Sequence, residues 1–121
     1  MSKTINDVLE DIKNDLLLKG RRALFVEPVS ISTEITVVDT TNFQGYIALS
    51  DGLLMIYKNT FPFSDYALMQ TLRLNETELL KSGRSLILRQ YFVKVKHKKR
   101  KYQLTGISEP CMDAIVRALQ K

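Results

Sequence analysis

The sequence predicts an α+β fold in which an antiparallel sheet lies between two helices. Three observations lead there. Both ends of the chain carry apolar residues at helical spacing, the middle carries them at strand spacing, and the order shows no βαβ alternation. A parallel nucleotide-binding sheet needs a helix after most strands, so the order argues against one. With 121 residues the chain is long enough for one domain with its own core. The expected division is a single domain over residues 1–121, with an N-terminal helix in 1–20 and the body of the fold in 21–121.

Residues 4–18 read as the first helix. Ile5, Val8, Leu9, Ile12 and Leu16 form one stripe, while Asp7, Glu10, Asp11 and Asp15 crowd the other side. Gly20 is its stop signal. Ala23–Val26 and Thr33–Val38 are rich in β-branched and aromatic residues and read as strands, with Glu27-Pro28 as a breaker between them. Gly45–Leu49 and Leu53–Tyr57 form a hairpin on Ser50-Asp51-Gly52, because Asp-Gly supplies the positive φ of a tight turn. Lys58–Ser64 is expected to be a loop containing Phe61-Pro62-Phe63. The alternation of Leu68, Gln70, Leu72 and Leu74 argues for a strand over 67–74, with a helix as the alternative. Asn75–Glu78 is positioned to cap a helical turn that ends before Gly83. A long strand, Ser85–Lys96, follows, with Val93 and Val95 on one face and Lys94 and Lys96 on the other. The chain then turns within Lys98-Lys99-Arg100 and returns over Lys101–Ile107. Ser108 caps a last helix with Pro110 in its first turn and a stripe of Met112, Ile115, Val116 and Leu119.

Charge is placed rather than spread. Residues 84–121 hold ten Lys/Arg against two acids, whereas residues 1–83 hold eight against eleven. Six of the eight residues from Lys94 to Lys101 are Lys or Arg. One basic edge facing an anionic partner is the expectation. The longest apolar runs fall far short of the roughly 20 residues of a membrane span, and the first residues carry acids instead of an apolar signal core. The single Cys111 rules out an internal disulfide. The chain is therefore expected to be cytoplasmic and free of cofactor and metal: one histidine, His97, and one thiol cannot build a Cys/His cluster. The glycines at 20, 45, 52, 83 and 106 are isolated turn signals rather than a phosphate loop. No catalytic pair of acids stands out, and no enzyme is expected.

The stretch from Gly45 to Tyr57, with Leu53-Leu54-Met55-Ile56-Tyr57 as its outgoing strand, resembles the central hairpin of pleckstrin-homology-like and GRAM-like domains, including small bacterial relatives. Lys99-Arg100-Lys101-Tyr102-Gln103-Leu104-Thr105 followed by an amphipathic helix is similar to the last strand and capping helix of that family. The likeness covers roughly residues 23–121. It implies a strongly bent antiparallel sheet or partial barrel, capped by the C-terminal helix, with an extra N-terminal helix outside the family pattern. It also implies three loops gathered at an open end, near Asp39–Phe43, Lys58–Asp65 and His97–Arg100. The segment Thr33–Gln44, where headgroup-binding members carry basic residues, has no Lys or Arg here.

The residues expected to meet an anion are Lys94, Lys96, Lys98, Lys99, Arg100, Lys101 and Lys58. Supporting aromatics are Phe61, Phe63 and Tyr102. A peripheral contact with an anionic lipid surface is the leading expectation, each lysine near such a surface contributing about 1 kcal/mol. Nucleic-acid phosphates bound by the same hairpin, or an acidic protein partner within a larger assembly, are the alternatives. The bland reading of the cations is a solvated edge protected against strand pairing. Tyr91 and Phe92 are adjacent on a strand, so only one can face outward. The amphipathic first helix suggests a homo-oligomer.

Overall fold

A computed structural model of the chain describes residues 4–34, 40–60 and 65–120. The elements run α1 (Ile5–Leu18), β1 (Ala23–Glu34), β2 (Thr40–Ser50), β3 (Leu53–Thr60), β4 (Asp65–Arg73), β5 (Thr77–Arg84), β6 (Tyr91–His97), β7 (Arg100–Ile107) and α2 (Glu109–Leu119). A 3-10 turn, Leu74–Glu76, joins β4 to β5. All seven strands belong to one antiparallel sheet in the order β4-β3-β2-β1-β7-β6-β5.

The sheet bends until its two end strands share a core. Leu72 of β4 and Leu74 are buried in one cluster with Val93 and Val95 of β6, and with Val29, Ile31, Ile47, Leu54, Ile56 and Leu104 from the strands between. Helix α2 closes one end of that concave core through Cys111 and Ile115, with Met112 and Leu119 packed at the margin. Val116, expected in the same stripe, is only half-buried. A second cluster lies on the convex face: Val8, Ile12 and Leu16 of α1 pack on Val26, Tyr46, Ala48, Met55 and Tyr57. The stripe of the first helix is thus buried against its own sheet, leaving Ile5, Leu17 and Leu18 exposed. Among the described residues, no helix is long and apolar enough to cross a membrane.

Local chemistry explains the element ends. Thr4 and Asp7 exchange hydrogen bonds of 3.1 and 3.0 Å in a capping box at the start of α1. Gly52 takes φ +75° in the β2–β3 turn, as the Asp-Gly pair requires. Ser108 accepts from the Cys111 N–H at 3.3 Å at the start of α2. Glu27 fastens that cap to β1: its carboxylate accepts from the Ser108 N–H at 2.7 Å and from its hydroxyl at 2.5 Å.

Several expectations need correction. Pro28 does not break a strand, because β1 runs through it; β7 pairs only with Ser30–Glu34, so the missing N–H falls beyond that ladder. The expected second strand there is described only to Glu34, and residues 35–39 lie outside the described residues. The helical turn expected at Asn75–Glu78 shrinks to the 3-10 turn, and Thr77–Arg84 is instead strand β5. Finally, Ser85–Lys96 is not one strand. Residues 85–90 form the turn between β5 and β6: the Ser85 N–H donates to the Gln90 carbonyl and the Arg89 N–H to the Ser85 carbonyl, both at 2.8 Å. Arg89 sits at φ +54°. Lys58–Ser64, expected to be a loop, begins as strand up to Thr60.

Candidate functional site

Alternation decides where the basic run of residues 94–101 goes. In β6, Val93, Val95 and His97 face the concave core, so Lys94 and Lys96 face outward. In β7, Tyr102 and Leu104 are buried, which puts Arg100 on the concave side and Lys101 on the convex one. Lys98 and Lys99 form the exposed turn between the strands. The cations that are contiguous in sequence are therefore divided among an outer face, a tip and an inner rim.

On the outer face the lysines have acidic neighbours. The cross-strand row reads Glu78, Lys96, Lys101, Glu34 from β5 through β6 and β7 to β1. Lys94 also approaches Glu34, at 3.5 Å. Such half-exposed pairs contribute little to stability, but they lower the local positive potential. The tip differs. A cleft of about 350 Å³ at the open end is lined by Gln70, His97, Lys98, Lys99, Arg100 and Tyr102, without a carboxylate. An adjoining cleft carries Arg73 and Glu76 with His97 and Lys98.

His97, expected on an exposed charged tip, is 4% exposed. Its Nε2 has no hydrogen-bond partner and stands 3.7 Å from the Glu76 carboxylate. The signal that would have found this was in the sequence, since residue 97 shares strand parity with 93 and 95. Tyr102 is likewise a correction: at 2% exposure it is core, not a surface aromatic. Burial pushes its phenol pKa up, against the opposing influence of the Arg100 guanidinium, which bonds its hydroxyl. Lys58 is exposed on β3, opposite Gly45 and Ala67, and alternation places it on the same face as Leu54 and Ile56. A Cβ on Gly45 would collide with the Tyr57 carbonyl, so only glycine fits beside it. Phe61 and Phe63 lie outside the described residues. Of the adjacent aromatics, Tyr91 turns inward and its hydroxyl bonds Glu109, while Phe92 lines a groove on the outer face.

The Cys111 thiol is buried under α2, and burial, with Glu27 beside it, pushes its pKa up to about 12. Among the described residues, no group of three or more His, Cys, Asp or Glu side chains is placed to hold a metal.

No family model matches the chain, and no curated protein matches it. Solved structures do. Vav1 with an allosteric inhibitor that blocks its GEF activity aligns with a TM-score of 0.63 at 16% identity, over 95% of this chain and 33% of that one. The DH/PH fragment of PDZRhoGEF, in complex with human RhoA, gives 0.56 at 17% identity, over 88% of this chain and 31% of that one. The pleckstrin homology domain of ArhGAP27 gives 0.56 at 13% identity, over 79% of this chain and 98% of that domain. The chain thus spans about a third of the larger Vav1 and PDZRhoGEF chains and nearly all of the isolated domain. At these identities the likeness concerns architecture, and the architecture is a pleckstrin-homology-like fold: a bent, unclosed antiparallel sheet with a C-terminal helix at one end and an additional helix at its N-terminus.

Proposed function

We propose that this chain is a non-enzymatic binding module that makes a peripheral contact with an anionic membrane surface through the open end of its sheet. Lys98 and Lys99 lead the contact with Arg100 at the rim beside them, and Lys58 supports them from β3. Lys94, Lys96 and Lys101 add attraction at longer range from the outer face. The observation that carries this reading is the cleft beneath the β6–β7 turn, which brings three cations and a buried imidazole together with no carboxylate in its lining. A site of that composition favours phosphate oxygens over neutral ligands. Nucleic-acid binding is less well supported, since Tyr102 is buried and offers no stacking face.

The test is co-sedimentation with phosphatidylcholine vesicles, with and without phosphatidylserine, at low and physiological salt, beside single- and double-stranded oligonucleotides. Binding to the anionic vesicles alone is expected. Replacing both lysines (Lys98→Ser with Lys99→Ser) should weaken it by about tenfold or more, from about 1 kcal/mol per cation. Preference for oligonucleotides with a steep salt slope would replace this reading with nucleic-acid binding. Absence of binding in every arm would leave an acidic protein as the partner to seek.

A further inference from the structure

The opposite end of β6 carries a feature that the basic turn does not explain. Leu86, Ile87 and Leu88, in the turn between β5 and β6, are 91%, 92% and 62% exposed. They are not a frayed segment, because the Ser85–Gln90 hydrogen bonds close the turn and the Ser85 hydroxyl accepts from the Leu88 N–H at 3.3 Å. Three consecutive large apolar side chains held in water on a closed turn need a partner. Cations flank them: Lys81 and Arg84 precede the turn and Arg89 lies within it. No Asp or Glu occurs anywhere in residues 79–108. Beside the turn, Lys81, Arg84, Leu88, Phe92, Gln103 and Thr105 line a groove of about 420 Å³ on the outer face of β5, β6 and β7. Gly83, opposite Phe92, has no side chain to cover that ring. The Arg84 guanidinium lies over the Tyr91 ring, 5.9 Å from its centroid, where Glu109 and Asp113 of α2 also act, whereas Lys81 and Arg89 stand clear of that ring.

We propose that this turn and groove form a second membrane contact, in which Leu86, Ile87 and Leu88 enter the acyl region of an anionic bilayer while Lys81 and Arg84 hold headgroup phosphates. Charge complementarity selects the occupant. Apolar side chains at a protruding tip with arginines set just behind them match the interfacial layering of a lipid leaflet, where guanidinium groups sit at phosphate depth with hydrocarbon below. The two turns lie at opposite ends of β6, about 20 Å apart. A flat membrane meets both only when the molecule lies side-on, with Lys94, Lys96 and Lys101 facing the lipid between them. The inference rests on the lipid reading of the previous subsection but not on its cleft.

The chain contains no tryptophan, so Ile87→Trp introduces a single indole reporter at the tip. Titration with phosphatidylserine-containing vesicles is expected to shift its emission to the blue, and brominated acyl chains to quench it. An indole that stays in water while the protein sediments with the vesicles overturns the inference and leaves the open-end contact standing. A second variant, Leu86→Ser with Ile87→Ser and Leu88→Ser, alters only exposed side chains. It should lower vesicle partitioning on the order of 1,000-fold, since each of the three apolar side chains withdrawn from hydrocarbon is worth about tenfold or more. Undiminished partitioning in that variant overturns the proposal. Loss in this variant but not in the Lys98/Lys99 variant would support it and overturn the open-end contact. Absence of vesicle binding by the unmodified chain overturns both.

Discussion

Lys98 occupies a two-residue turn at φ +58°, a left-handed conformation that costs an L-residue about 1–2 kcal/mol and suits glycine or asparagine. A lysine kept there is held against backbone preference, which is understandable if its ammonium group has a task outside the fold. Lys98→Gly is therefore expected to leave stability unchanged or raise it by up to about 1 kcal/mol in urea unfolding, while weakening binding to anionic vesicles about fivefold. A variant that loses stability instead would show that the side chain serves the fold. The buried weak acids give a second prediction. Burial, with Asp15 and Tyr66 nearby, pushes the Tyr57 phenol from 10.0 to about 12, and burial with Glu27 pushes the Cys111 thiol from 9.0 to about 12. Both pKa values are raised in the fold, so both contributions are complete below pH 9. They are lost as the pH rises towards 12, because the unfolded chain ionises first. The melting temperature should fall steeply over that interval, and Tyr57→Phe should flatten the part above pH 10. At this scale much was legible in the sequence. The parity of Val93 and Val95 already placed Lys94 and Lys96 outward, and the same parity placed His97 and Tyr102 against the core. The charge of their neighbours obscured it.

Between the elements, the first helix is the clearest case of a part that sequence periodicity describes and only packing explains. Its stripe of Val8, Ile12 and Leu16 was plain, but the surface it covers was not. The apolar residues on the convex face of β1–β3, namely Val26, Tyr46, Ala48, Met55 and Tyr57, alternate with others that fill the concave core, so both faces of those strands are apolar. A sheet with two apolar faces needs a second cover, and α1 supplies it. Ile12 is fully buried there. Ile12→Ala should cost about 2–5 kcal/mol in urea unfolding; a change of a few tenths would make α1 an appendage. Other boundaries were hidden for local reasons. Leu86-Ile87-Leu88 has strand-forming composition, and its turn depends on Ser85 bonding and on a positive φ at Arg89, a residue type that gives no warning of one. In β5 the pairing register shifts between Leu79 and Lys81, which breaks the period-2 pattern that would have marked Thr77–Arg84 as a strand.

For the whole molecule, the question is whether its charge acts as a general field or through a site. The sequence supplied the asymmetry, ten cations against two acids after residue 83, but not its division among tip, rim and outer face, which depends on strand parity and on the cross-strand positions of Glu34 and Glu78. Two double variants separate the alternatives because each removes two lysines from the same hairpin. Lys96→Ser with Lys101→Ser acts on the outer row, where each lysine has a glutamate as its other cross-strand neighbour. Lys98→Ser with Lys99→Ser acts on the turn above the acid-free cleft. If only net charge draws the protein to an anionic surface, the two should weaken vesicle binding equally, and both effects should fade together as salt shortens the range of the field. If the cleft is a site, the turn variant should lose at least tenfold at physiological salt and the outer variant only severalfold. The reason is that the glutamates already neutralise part of what the outer lysines offer, and partly exposed pairs beyond a Debye length of about 8 Å are screened. Comparing the two binding curves at a single physiological ionic strength is enough, and equal losses would assign the basic hairpin to a diffuse field.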